Sequence, residues 1–256
     1  MKKIIIALAM FILFESVGSV EADAIVNNSG SSSIEKKDSV IGNGDISTLV
    51  YPIGNFSELE VANGIEVVMS KDYSECITIT TDSNIQGKVS KEVVNGSLVL
   101  KTLENVQPTE PIKVKLPYKI INRITAKSSS HIKILTPMSL EDLDLLSSSS
   151  SMIDINSVDI SRNLSISTSS SSNVTIKNTS YAYNTSMTAT SSSIINSFSL
   201  YNNYLNAKAS SSASIYTTVE GEMIAEARSS GDIYYQGEGY LAKSKIKSSG
   251  LIERVN

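Results

Sequence analysis

Residues 124–134 read ITAKSSSHIKI, and residues 166–176 read ISTSSSSNVTI. Each stretch opens on an apolar residue, steps through small polar residues into a serine run, and ends on two apolar residues separated by one polar residue. That ending is a half-buried strand, whose side chains alternate between two faces. Outward from these stretches the same unit recurs as Ser149-Ser150-Ser151-Met152-Ile153-Asp154-Ile155 and as Ser191-Ser192-Ser193-Ile194-Ile195. It returns as Ser211-Ser212-Ala213-Ser214-Ile215 and Ser229-Ser230-Gly231-Asp232-Ile233, and closes as Ser248-Ser249-Gly250-Leu251-Ile252. The anchors Ile132, Ile153, Val174, Ile195, Ile215, Ile233 and Ile252 are spaced 21, 21, 21, 20, 18 and 19 residues apart. A period near 20 without helical patterning predicts an all-β chain. The expected architecture is a right-handed parallel β-helix, or β-solenoid, with about seven recognisable coils of 18–21 residues over 121–256. One coil cannot bury its own apolar side, so coils must stack, with equivalent residues about 4.8 Å apart in ladders.

The repeat assigns columns. The anchors point inward. A second column runs Ile134, Ile155, Ile176, Ser197, Thr217, Tyr235, Arg254; it begins apolar and turns polar, so its later members are expected to be only partly buried. A third column is small throughout: Ser130, Ser151, Ser172, Ser193, Ala213, Gly231, Gly250. Small residues suit sharp turns or the close approach of sheets. The serine runs therefore have a structural reading, as corner residues that cap local backbone groups. They also have a functional one, as an exposed hydroxyl ladder facing a glycan or ordered water. Low-complexity disorder at 147–151 fits less well beside the flanking alternation.

Upstream, residues 50–120 alternate in the same strand-like way: Leu59 and Val61, Ile65 and Val67, Ile77 and Ile79, Leu98 and Leu100, then Ile112, Val114 and Leu116. Asn63-Gly64 and Asn95-Gly96 are tight-turn dipeptides. This region is either a set of early coils or a separate β-sheet cap. Residues 23–49 read as a flexible lead-in, because the polar run at 27–33 cannot bury enough surface to offset its ordering entropy. Residues 1–22 carry Lys2, Lys3, an apolar run over 4–14 and a small-residue cleavage zone at Ala22 and Ala24. That is the grammar of a secretory signal peptide. The run is short for a membrane span, no second one follows, and Cys76 is too distant to be a lipoprotein cysteine. An exported chain without a transmembrane segment is expected after signal removal, in the periplasm, on the outer surface or secreted.

Composition narrows the chemistry. Against 22 Lys and Arg stand 26 Asp and Glu, a net charge of −4 that argues against nucleic-acid binding. One His and one Cys exclude multi-histidine and His–Cys zinc sites and an internal disulfide framework, so neither a metal nor a cofactor is expected. No G-x-S-x-G, P-loop or H-E-x-x-H motif occurs. His131 sits at an outward position and reads as a surface histidine, and Cys76 as a part-buried thiol. Asp154 and Asp232, the best-placed acids of the repeats, fall four coils apart, too far for the acid–base pair of sugar hydrolysis. Glu226 shares a coil with Asp232 but on a different edge. With Trp absent and Phe at 4, any sugar-stacking platform must draw on the 11 Tyr. Candidate ligand-binding residues are Tyr234, Tyr235 and Tyr240, which could instead pack the last coils. Lys243, Lys245 and Lys247 could form a small anion patch or an edge-protecting stripe.

The order of several short motifs resembles the putative auto-transporter adhesin, head GIN domain family. Phe56-Ser57-Glu58-Leu59-Glu60-Val61 precedes Asn63-Gly64-Ile65-Glu66-Val67, a strand follows over 73–79, and Val93-Val94-Asn95-Gly96-Ser97-Leu98 supplies a second turn and strand. The stretch Ile112-Lys113-Val114-Lys115-Leu116-Pro117 leads into the repeats, where Ser230-Gly231-Asp232-Ile233-Tyr234-Tyr235 is similar to the family's small-Gly-Asp-apolar rung. The resemblance covers about residues 50–256. Glu66 stands where the family name implies Asn, and Ser-Ser-Ser replaces the family's frequent Ser-Gly alternation. The resemblance implies a secreted or cell-surface protein of a Gram-negative bacterium, a right-handed parallel β-helix-like fold and a role in adhesion; it brings no catalytic residues.

Sequence alone thus favours an exported, non-enzymatic adhesin or surface-binding protein that contacts glycan or protein. The alternatives are a polysaccharide-active β-helix enzyme and a structural envelope component without a small ligand. Oligomeric state is not legible.

Overall fold

The computed structural model describes residues 39–71 and 74–255. The expected signal peptide at 1–22, most of the expected lead-in and Tyr73 lie outside the described residues. The fold is a parallel β-solenoid of about six turns. The sequence predicts about seven coils, a minor difference.

Each coil supplies two inward-facing ladders joined by a serine corner. Before the corner, residues 58–61, 123–126, 144–147, 165–168 and 186–189 stack in parallel register, Leu59 to Ile124, Ile124 to Leu145, Leu145 to Ile166, and Ile166 to Met187. After it the anchors stack from Val67 through Ile132, Ile153, Val174, Ile195, Ile215 and Ile233 to Ile252. All but the terminal Ile252 are buried. From the third described coil onward, a short segment before the long strand, residues 138–140, 158–160, 180–182 and 200–202, adds a third side.

The corners explain the serines. In all seven serine corners two successive serines adopt the left-handed conformation, from Ser128 (φ 50°) and Ser129 (φ 61°) to Ser248 (φ 48°) and Ser249 (φ 60°). Asn63 (φ 61°) and Gly64 (φ 71°) form the same corner in the first coil. The second residue of each corner donates its N–H to the first serine of the next corner: Gly64 to Ser128, Ser129 to Ser149, Ser150 to Ser170, Ser171 to Ser191, all at 2.9 Å. The hydrogen-bond ladder therefore runs around the bend without a gap. The first two serines are exposed; the third position is a buried serine in four corners (Ser130, Ser151, Ser172, Ser193), then buried Ala213 and Gly231, and a part-buried Gly250 in the last. The buried hydroxyl works both ways: Ser172 Oγ accepts from Ser169 N at 3.1 Å and donates to Ser147 O of the preceding coil at 2.6 Å. Ser151 does the same with Ser148 N and Ala126 O.

The second inward column departs from expectation. Ser197 and Thr217 are fully buried rather than partly exposed. Their hydroxyls are satisfied inside: Ser197 donates to Tyr216 O at 2.8 Å, and Thr217 Oγ1 accepts from the buried Asn202 Nδ2 at 3.0 Å. A buried polar group is tolerated when it is hydrogen-bonded.

Residues 50–120 turn out to be both early coil and cap. Glu58–Val61 and Glu66–Ser70 pair in register with the first repeat, and behind them lie Ser97–Thr102 and Lys113–Pro117, also parallel. Beyond these, pairing turns antiparallel: Val89–Val94 closes one sheet, and Cys76–Asp82 followed by Ile46–Pro52 closes the other. The expected flexibility up to residue 49 does not extend over 39–49. Val40–Ile41 pairs with Val106–Gln107, and Ile46–Pro52 runs along Cys76–Asp82. The tie is the fully buried Asp82, whose carboxylate accepts from Gly44 N (2.8 Å), Thr109 N (2.9 Å) and Thr109 Oγ1 (2.8 Å).

Candidate functional site

The outer surface of coils three to six carries the chemistry. At the bend between the short segment and the long strand, the register shifts between residues 160 and 163 and again between 202 and 204. Side chains flanking these bulges splay outward. Tyr181, Tyr183, Tyr201, Tyr204 and Tyr240 are all exposed there.

Two axial columns result. One runs Asp159, Tyr181, Tyr201. The other runs Asn163, Asn184, Tyr204, Glu222, Tyr240. Tyr181 and Tyr201 stack at 5.6 Å with 27° between their planes, and Tyr183 meets Tyr204 edge to face at 5.4 Å. Both are favoured aromatic geometries. Tyr240 donates its hydroxyl to Glu222 Oε2 at 3.2 Å, which pushes the phenol above its ordinary range. Two open hollows meet at the Tyr183–Tyr204 pair, one ring lining each. The first, about 460 Å³, also takes Tyr181, Tyr201, Asp159 and Glu220; the second, about 360 Å³, takes Asn163, Asn184 and Glu222. No Lys or Arg lines either hollow.

The structure disperses the residues singled out from sequence. Tyr234 stacks on Tyr216 (5.2 Å, 11°), which meets Phe198 at 5.5 Å on the face after the corner; burial and then Asp232 push the Tyr234 hydroxyl up. Tyr235 points the opposite way and packs, half-buried, against the core. Tyr240 alone joins the tyrosine face. Lys243, Lys245 and Lys247 are exposed on Tyr240–Lys247, the last strand of its ladder. Lys245 Nζ lies 2.9 Å from Glu226 Oε1 and holds that carboxyl below its usual range.

Tyr181, Tyr183, Tyr201 and Tyr204 were missed. Their signal was present as tyrosines recurring at coil spacing, 181 to 201 and 183 to 204. The serine unit carries the coil period but not the bulges that turn these rings to one face.

The remaining polar candidates pair across coils. His131 is more covered than a surface histidine, its side chain 16% exposed, with Nε2 3.3 Å from Asp154 Oδ2. Lys177 Nζ approaches the same oxygen at 2.9 Å. Asp142 is held by Arg162 and then Asn163, which lower its carboxyl to about 2. Cys76 is a partly buried free thiol. Among the described residues no group of three or more His, Cys, Asp or Glu is placed to hold a metal, and no helix is long and apolar enough to cross a membrane.

A family model described as putative auto-transporter adhesin, head GIN domain, matches residues 55–239. No curated protein matches the chain. Among solved structures, a putative adhesin from Bacteroides fragilis NCTC 9343 is 18% identical with a TM-score of 0.76, covering 84% of this chain and 100% of that one. A putative adhesin from Parabacteroides merdae ATCC 43184 is 20% identical at 0.66, covering 86% and 100%. A structure from Parabacteroides distasonis ATCC 8503 described as a putative lipid binding protein is 19% identical at 0.67, covering 86% and 100%. At these identities the likeness is one of fold.

Proposed function

The chain belongs to the putative auto-transporter adhesin, head GIN domain family, and from that premise we propose that it is an exported, non-enzymatic attachment module. It holds a surface partner, glycan or protein, on the tyrosine face of its solenoid. The observation that carries this reading is the set of four exposed tyrosines, Tyr181, Tyr183, Tyr201 and Tyr204, projected from two successive coils onto two open hollows, with the exposed Tyr240 two coils beyond Tyr204 in the same column. Exposed aromatic clusters rimmed by polar groups mark interaction sites, and rings fixed on stacked strands lose little freedom on binding. Asp142, Asp154 and Glu226, on the same coils but outside the hollows, are each engaged by Arg162, Lys177 or Lys245, while the acids that line the hollows, Asp159, Glu220 and Glu222, are placed to accept from a partner's hydroxyl or amide groups.

The test is attachment. Beads coated with the purified protein are applied to cell monolayers and to matrix-coated surfaces. Beads carrying the Y181A/Y183A/Y201A/Y204A variant serve as comparison. Wild-type beads should be retained well above albumin beads, and the variant should return to that background. Wild-type retention no better than albumin would defeat the reading.

A further inference from the structure

The tyrosine face presents its side chains at the spacing of the coils, with a different group in most coils. Along one column an amide, an amide, a ring, a carboxylate and a ring succeed one another; along the other come a carboxylate and two rings. Each step is one parallel strand spacing, about 4.8 Å. A ligand complementary to such a surface must itself repeat at about that interval and offer, in each unit, an apolar face beside hydrogen-bonding groups. An irregular protein surface does not repeat. A lipid tail repeats but has no use for flanking amides and carboxylates, and the hollows are open rather than enclosed.

We infer that the hollow lined by Asn163, Asn184, Tyr204 and Glu222 is a groove for a neutral polysaccharide, its chain lying along the solenoid axis beside the Tyr183–Tyr204 pair, which separates it from the second hollow over the same coils. This inference rests on the attachment reading and narrows its partner. The C–H face of a pyranose packs on the exposed Tyr204 ring, and its hydroxyls take bonds from Asn184 and donate to Glu222. A sugar unit along its chain is about as long as one coil is thick. Charge sets the class: Asp159, Glu220 and Glu222 line the hollows and no cation does. A sulfated or uronic-acid chain would bring like charge into a partly desolvated site, where repulsion is poorly screened.

The experiment is affinity electrophoresis of the purified protein in gels cast with neutral polysaccharides (a mixed-linkage glucan, a mannan, a xylan) or with anionic ones (heparin, polygalacturonate). We expect retardation by at least one neutral polymer and none by the anionic ones. Y204A should weaken it about tenfold or more, a loss of about 1.4 kcal/mol; Y204F, which keeps the ring, should stay within about threefold. Circular dichroism of both variants should match wild type, since Tyr204 is exposed. Tighter retardation by an anionic polymer, or Y204A binding as well as wild type, would overturn the groove assignment. Bead attachment without any neutral polysaccharide binding would sink this inference and leave the attachment reading standing; loss of both would sink both.

Discussion

At the residue scale the serine corner is the unit that makes this fold. A left-handed backbone costs an L-residue about 1–2 kcal/mol, and here fourteen serines adopt it. Six of the seven corners donate an axial N–H bond to the next corner, and in the corners closed by Ser130, Ser151 and Ser172 the hydroxyl of the third residue satisfies two backbone groups at once. We therefore expect Ser172→Ala to destabilise the protein by about 1–3 kcal/mol, because Ser169 N and Ser147 O lose a buried partner. Equilibrium urea unfolding would show it, and a change below about 0.5 kcal/mol would mean that the hydroxyl only fills space. The opposite sign is expected for the paired change S170N and S171G, which copies Asn63-Gly64 into a serine corner. Residues suited to positive φ should raise stability by about 0.5–1 kcal/mol, read as a higher melting temperature. A lower one would show that the serine side chains contribute something the backbone does not.

At the scale of elements, the antiparallel strands at the start of the solenoid depend on one carboxylate. Burial alone would raise the Asp82 carboxyl, but bonds from Thr109 N–H, Thr109 Oγ1 and Gly44 N–H outweigh it and hold it below the ordinary aspartate range. A carboxyl lowered in the folded state binds protons there less readily than in the unfolded chain. Its contribution is complete above the unfolded value near 3.9 and is lost as pH falls below that, through the lower folded value. Proteolysis within residues 39–52 should accordingly accelerate below about pH 4 while the repeats stay intact. Asp82→Asn should show fast cleavage already at neutral pH. Cleavage that does not depend on pH in either protein would place the anchor elsewhere. A side chain at Gly42 would meet the Asp82 carboxylate at 2.5 Å, so this junction also explains a glycine at a position with no positive φ.

At the scale of the whole solenoid, each coil contacts only its neighbours, so stability is graded along the axis rather than uniform. At the last rung, Ile246 stands in register with the buried Ala227 yet is 53% exposed, and Ile252 follows the buried Ile233 but is only partly covered. Amide hydrogen exchange over 240–254 should therefore run at least about tenfold faster than over 144–190; equal protection would mean that this end is covered in solution. Much of this was legible in the sequence. The coil period, the inward anchors and the turn at Asn63-Gly64 follow from spacing and residue type, because a parallel ladder repeats its side-chain demands every coil. Local pattern also marked the serine runs as corners. It could not show that Ser197 and Thr217 are buried, since their partners Tyr216 O and Asn202 come from elsewhere in the chain. Nor could it separate Tyr234 from Tyr240, or bring Tyr181, Tyr183, Tyr201 and Tyr204 to one face. Those facts depend on bulges that shift the register by a residue or more, and a one-residue slip turns every later side chain to the other side of the sheet. The repeat in the sequence determined that coils stack; the tertiary structure, by placing the bulges, decided which side chains meet on the outside.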